Sequence, residues 1–316
     1  MIRLSHSEIE ALIDLPSAAP AIQAAYVATS EGRVNLPPVG HITFPEASAD
    51  CHIKYGHMQG DEHFVIKVAT GFPANADIGI QTGNGLVLVM SARTGETKAI
   101  LHDEMLLTDI RTGLGGAIAS RALGRRNATR LLVLGTGPQA QWQVRSHAAL
   151  MPGLTHIGLW GRDAGRSQKA VDALAPDHKV HPEPQLERAA RDADIIVTAT
   201  GATHPLISSG WVTPGTHITA VGADAPGKQE LDVDLVASAD LVAVDLVPQC
   251  IDHGEVSHAV ERGKLSANRL VELGTILAEP SKGRRDDRQI TIADLTGIAA
   301  QDIAMANAVM EAATRK

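Results

Sequence analysis

Lys54 and Lys67 lie on two β-type runs, Cys51–His57 and Phe64–Ala69, separated by the turn chemistry of Gln59-Gly60-Asp61-Glu62. A two-residue connection at Gly60-Asp61, with glycine first, suits a type II′ hairpin turn. That register sets Lys54 directly opposite Lys67. Like charges facing each other across a strand pair are destabilising, so the arrangement becomes sensible when an anion lies between them. Alternation also puts His52 on the Lys54 face and sends Phe64, Ile66 and Val68 to the other. The competing reading is a solvated lysine face on an edge strand. Arg111 poses a similar question. In Leu107-Thr108-Asp109-Ile110-Arg111-Thr112, Thr108 reads as a helix N-cap. Arg111 then falls in the first turn, where a cation opposes the helix dipole. A guanidinium fork aimed at a carboxylate accounts for that cost; a plain surface arginine is the alternative.

A second chemistry is written in Leu131-Leu132-Val133-Leu134-Gly135-Thr136-Gly137-Pro138-Gln139-Ala140. Four apolar residues read as a buried parallel strand and run into Gly-x-Gly-x-x-Ala, which opens a helical stretch. A further strand at His156–Trp160 follows at βαβ distance, the context that a dinucleotide fingerprint needs. Gly135 makes the tight turn, Gly137 admits the pyrophosphate and Ala140 lets helix and strand pack closely. The backbone N–H groups at the helix start then supply the anion site. The rival is a glycine-rich turn that binds nothing. At the end of the next strand, Trp160-Gly161-Arg162-Asp163 puts Gly where an NAD site usually has an acid. Arg162 is placed to accept a 2′-phosphate, which favours NADP, while Asp163 one residue on keeps NAD open.

Asp224 closes the segment after strand His217–Val221, where open α/β sheets gather their ligands. A carboxylate there can exchange a proton with a substrate nitrogen, or simply make an Asx turn into Pro226. Thr198 and Thr200 end another strand and are expected to line the cofactor. Gly297, ahead of the last helix, is expected to let backbone approach the nicotinamide.

The elements that must position these groups divide at about residue 115. Residues 41–103 carry the short β-type runs, with Gly85–Met90 and Thr97–Leu101 completing them. A helix from Thr108 through the small-residue stretch Gly113–Ala122 bridges to strand–helix alternation between 130 and 295. Its strands are Leu131–Leu134, Ile157–Trp160, Ile195–Thr198, His217–Val221 and Leu241–Val244. Breaks are expected at Pro16 and Pro20, and Gly297–Ala313 is helical in pattern. The fold class is α/β: a Rossmann-type doubly wound parallel sheet plus a mixed α+β domain for substrate binding and dimerisation. The expected division is residues 1–115 with the tail 300–316, and residues 116–299. A length of 316 residues fits two domains. A net charge of −8 argues against nucleic acid or an anionic membrane as partner. Two cysteines without ligand spacing indicate a reducing compartment and no metal site. No run reaches membrane-spanning length and no hydrophobic signal core opens the chain, so a cytoplasmic protein is expected.

These segments resemble the ornithine cyclodeaminase/mu-crystallin family over nearly the whole chain. The likeness rests on Lys67 in Val65-Ile66-Lys67-Val68, Thr82 in Gln81-Thr82-Gly83-Asn84-Gly85, the Leu107–Thr112 segment, the Gly135–Ala140 motif, and Val221-Gly222-Ala223-Asp224-Ala225-Pro226-Gly227-Lys228-Gln229-Glu230-Leu231-Asp232. It implies a homodimer of two-domain subunits, with the tail helix returning to the first domain. It makes Lys67 and Arg111 the ligands of the substrate carboxylate, Asp224 the catalytic acid/base, and Thr82 and Thr112 cofactor-side residues. Two departures tell against a cyclodeaminase. Gly40, His41 and Ile42 stand where those enzymes carry an arginine after the segment matching Leu36–Val39. Lys54 also stands near the position of their glutamate and would repel ornithine's second amine. The favoured reading is an NAD(P)H-dependent reductase of a small α-imino acid, pyrroline-2-carboxylate or iminosuccinate, with Lys67 and Asp224 as the catalytic pair. Ornithine cyclodeaminase and a low-turnover cofactor-binding protein are the rivals.

Overall fold

The computed structural model describes residues 1–315. The chain falls into two compact units, one made of Met1–Arg111 with the segment that begins at Ile298, the other of Thr112–Gly297. The division lies inside the continuous helix Leu106–Leu123, slightly earlier than the sequence suggests. Lys316, the end of the expected tail, lies outside the described residues.

The first unit is built on a seven-stranded sheet. Ile2–Ser5, Thr97–His102, Gly83–Ser91, His63–Gly71 and Ala49–Met58 lie side by side, and both Val34–Asn35 and Gly40–Phe44 pair with Ala49–Met58. All pairings are antiparallel except Ile2–Ser5 with Thr97–His102. Lys54 does stand opposite Lys67. The turn that sets this register differs from expectation. Asp61 N–H donates to the Met58 carbonyl at 3.1 Å, and Gly60, at φ +91°, is the third residue of that turn. A glycine with positive φ there is the type II pattern rather than II′.

Alternation divides the sheet into unlike faces. Val65, Lys67, Ala69, Val87, Val89, Ala99 and Leu101 are buried, and the helix Ala299–Thr314 packs on this side against both hairpin strands and against helix Leu15–Ser30. Phe64, Ile66, Val68, Leu86, Leu88 and Met90 point the other way and are half-buried. Helix Leu15–Ser30 runs through both prolines expected to break it. Pro16 sits in the first turn, where its missing N–H is no loss, and the helix tolerates Pro20 in its interior.

The second unit is a parallel eight-stranded sheet in the order Val180–Pro182, His156–Trp160, Arg130–Leu134, Ile195–Thr198, His217–Ala220, Thr291–Asp294, Leu241–Val244, Leu270–Glu272. The strand order reverses between Arg130–Leu134 and Ile195–Thr198, the switch point of a doubly wound sheet. Three strands of this sheet escaped the sequence reading: Val180–Pro182, Leu270–Glu272 and Thr291–Asp294. Each is four residues or fewer and lacks the apolar run that marks the others.

Candidate active site

In the first unit, a group of charges gathers on the helix-covered face of the sheet. Lys67 is 3% exposed; its Nζ donates to Asp302 Oδ1 at 2.9 Å and to Thr108 Oγ1 at 3.1 Å. Arg111 is also buried, with Nε 3.4 Å from the same Asp302 oxygen and Nη1 donating to Gln301 Oε1 at 3.2 Å. Gln301 in turn donates to the Arg111 carbonyl and to the Tyr26 hydroxyl, which holds the amide that meets the guanidinium. Burial raises the Asp302 carboxyl, but Lys67, Arg111 and Lys54 outweigh it and hold the group ionised, below the usual carboxylate range. Burial pushes the Lys67 ammonium down, with Asp302 opposing and Arg111 reinforcing the shift. Asp103, also buried, accepts Leu107 N–H at 3.0 Å, and burial raises its carboxyl.

Three expectations change here. The anion that relieves the facing lysines is the protein's own Asp302, from a helix 235 positions further along the chain. Arg111 stands in the second turn of its helix rather than the first, because the helix starts at Leu106 with Asp103 capping it. Thr108, expected as the cap, instead accepts Lys67. His52 lies further along the same face and is half-buried. Its ring stacks on His41 at 4.4 Å between centroids and stands 3.4 Å from the Asp50 carboxylate. Burial lowers its proton affinity, with Asp50 opposing and His41 and Lys54 reinforcing the shift. One donor atom each from His41, Asp50 and His52 lies within 4.8 Å of the others. Thr82 is an exposed loop residue of this unit whose carbonyl accepts Phe72 N–H at 2.7 Å.

In the second unit, a cleft of about 460 Å³ opens at the switch point, lined by Gly135, Thr136, Gly137, Gly161, Arg162, Asp163, Arg166 and Thr200 among others. Gly135 has φ +127°, and a Cβ there would stand 2.4 Å from the Ala199 carbonyl oxygen, so no side chain fits. Gly137 is the N-cap of helix Pro138–Leu150, with open space where its Cβ would be. A helix start beside a side-chain-free cradle fits a pyrophosphate. Pro138, Gln139 and Ala140 form the first turn of that helix and do not line the cleft; Ala140 packs against Gly135.

Asp163 accepts Arg166 N–H at 2.7 Å as the N-cap of helix Ala164–Leu174, so one of its oxygens is already committed. Thr198 is fully buried inside the sheet and does not reach the cleft, whereas Thr200 does. Thr112 lies on the bridging helix, its carbonyl accepting Gln143 at 3.0 Å. Gly297 is buried, at φ +81°, and its N–H donates to Asp245 at 2.6 Å. Asp224 lies in the exposed loop after strand His217–Ala220, its carboxylate 2.5 Å from Lys228 Nζ. An ion pair therefore stands where an Asx turn was the alternative.

The model of the ornithine cyclodeaminase/mu-crystallin family matches residues 1–316. The chain belongs to that family. It is similar to an archaeal alanine dehydrogenase solved as a dimer with bound NAD, at 30% identity and a TM-score of 0.91 over 100% of this chain and 96% of that one. It is similar to the iminosuccinate reductase of Paracoccus denitrificans in complex with NAD+, at 29% identity and a TM-score of 0.90 over 100% and 97% of the two chains. A Delta(1)-pyrroline-2-carboxylate reductase of Bacillus cereus is 31% identical over 319 residues, which cover 99% of this chain and 97% of that protein.

Sequence reading of this family member missed several residues that hold the site. Asp302 reads as an ordinary acid in the first turn of a helix, where the dipole favours it. Its only warning was position: it sits among Ile298, Ala300, Ile303, Met305 and Ala306, all buried. Glu230 is fully buried and accepts Thr200 N–H at 2.7 Å and Gly222 N–H at 3.0 Å, holding two loops at the carboxyl ends of the strands. Arg166 lines the cleft beside Arg162; on a helix surface it had no distinguishing pattern.

Proposed function

We propose that this oxidoreductase, which acts on C=N/CH–NH groups, reduces a small α-imino acid to the L-amino acid. The observation that carries the reading is the pair of buried cations, Lys67 and Arg111, that converge on one oxygen of Asp302, with Lys54 opposite Lys67 in register. That excess of positive charge suits a substrate carboxylate, and in a desolvated site each such contact is strong. Because Asp302 offsets one cation, the extra lysine argues less for a dicarboxylic substrate than the sequence alone suggests. Pyrroline-2-carboxylate and iminosuccinate both remain candidates. The dinucleotide, when bound in the second unit, supplies the hydride. Gly135, Gly137 and Thr136 hold its pyrophosphate, and Asp224 carries the proton that balances the amine. Holding both reactants in place accounts for much of the acceleration in such reactions.

A cyclodeaminase reading fits less well, since Lys54 repels a second substrate ammonium. We infer a homodimer from the half-buried apolar outer face of the first sheet, with Tyr55 38% and Ile42 49% exposed, and from the dimeric archaeal relative. The test is a panel of NADH and NADPH against pyrroline-2-carboxylate, pyruvate plus ammonia, oxaloacetate plus ammonia, and ornithine with NAD. Net cofactor oxidation with one of the imino acids is expected. Ammonia release from ornithine without net cofactor change, or tight cofactor binding with no turnover, sinks the reading.

For the cofactor we favour NADP(H). Arg162 and Arg166 both face the cleft, and Asp163 is committed to capping its helix. Charge-assisted bonds to a 2′-phosphate amount to roughly 1.5–3 kcal/mol. Arg162→Ala and Arg166→Ala should therefore weaken NADPH by about 10–100-fold and NADH by far less in binding titrations. Equal losses for the two cofactors would remove the preference.

A further inference from the structure

Of the two Asp302 oxygens, Oδ1 is taken by Lys67 at 2.9 Å and approached by Arg111 Nε at 3.4 Å. Oδ2 is buried and has no hydrogen-bond donor. A buried carboxylate oxygen without a donor is costly, so its place in a ligand-binding cluster points to a donor that arrives with the ligand. In an α-imino acid the nitrogen and the carboxylate are attached to neighbouring carbons. A carboxylate gripped by Lys67 and Arg111, both in contact with Asp302, therefore brings the nitrogen within reach of this residue.

We propose that Asp302 Oδ2 accepts the N–H of the protonated imine and so distinguishes an imino acid from the corresponding 2-oxo acid, which has no donor there. This rests on the imino-acid reading given above. In the reductive step the hydride pair from the reduced dinucleotide joins the imino carbon, the C=N π pair becomes the nitrogen lone pair, and the oxidised dinucleotide is left. The N–H bond stays intact on Asp302, and the new amine then takes a proton from Asp224 or water. Lys67 and Arg111 fix the orientation of Asp302, and its negative charge stabilises the cationic hydride acceptor. A site that uses a buried acceptor to bind a donor rejects the analogue lacking it.

The experiment measures binding of matched pairs to the cofactor-loaded protein: L-proline against tetrahydrofuran-2-carboxylate, and N-methyl-L-alanine against (S)-2-methoxypropanoate, whose ether oxygens carry no donor. Each pair contrasts a nitrogen donor with an oxygen, and the wild type should prefer the nitrogen member by about 10–100-fold. Asp302→Asn keeps its oxygen on Lys67 and turns a donor toward the ligand, so the preference should vanish or reverse. Turnover of the imine should fall together with that preference. Asp302→Glu, which keeps the charge, should retain the sign of the preference. If Asp302→Asn does not fold, the wild-type pairs alone remain decisive. An unchanged nitrogen preference in Asp302→Asn, or none in a wild type that reduces imines, overturns the proposal. A wild type that prefers the nitrogen members but reduces no imine leaves Asp302 as an N–H acceptor and overturns the imine-reductase reading instead.

Discussion

Lys67→Met should be among the most damaging substitutions in the first unit, for stability and turnover together. Lys67 is buried and supplies the shorter of the two cation contacts to Asp302, at 2.9 Å against 3.4 Å for Arg111. Removing one member of a buried pair leaves the other desolvated, typically at 3–5 kcal/mol. Arg111 still contacts Asp302, so a loss of about 3 kcal/mol is expected in urea unfolding. The substrate loses one charge-assisted partner as well, which should lower kcat/KM by a further factor of about 10–100. Lys54→Met is the comparison. Lys54 stands opposite Lys67 in register but is only half-buried, so it should lose substrate use with little loss of stability. If Lys67→Met unfolds like wild type and keeps its KM, Lys67 is neither the Asp302 counter-ion nor a substrate ligand.

Asp224→Asn should leave cofactor affinity and stability nearly intact and lower kcat by about 10²–10⁴-fold, the usual range for a lost general acid–base group. Asp224 lies in the loop that follows strand His217–Ala220 and is exposed, so neutralising it should cost little stability. Its partner Lys228 is part of the prediction. An exposed ion pair contributes little to stability, so Lys228→Met should cost little stability while altering the pH profile of turnover. An Asp224→Asn variant within a few-fold of wild type would make Asp224 a turn residue and move the proton source to water or another side chain.

What the sequence revealed and what it concealed follow from the range of each interaction. The Lys54–Lys67 pairing was legible because strand periodicity and a short turn fix register locally, and the ladder tolerates a type II turn in place of II′. The glycine-lined cleft was legible because strand, Gly-x-Gly-x-x-Ala and helix are contiguous. Asp302 was not, because its meaning depends on Lys67, 235 positions away, and locally it resembles any helix-start acid. Arg111 was noticed for the wrong reason: the charge conflict was inferred from a misplaced helix start, yet the carboxylate partner it implied exists as Asp302. Thr198 shows the opposite error, since a polar residue at a strand end suggested the cleft and full burial placed it in the sheet. Strands such as Thr291–Asp294 went unseen because tertiary pairing on both sides, rather than local propensity, makes them strands.

The most direct test of the central claim follows the hydrogen itself. The protein is given reduced cofactor deuterated at nicotinamide C4, in both cofactor forms, with pyrroline-2-carboxylate or with a 2-oxo acid and ammonia. The product is then read by mass and proton NMR. Deuterium at Cα of an L-amino acid, with one cofactor oxidised per product formed, is the predicted result. Product without label at Cα, or proline and ammonia from ornithine with no net change in cofactor, would contradict it.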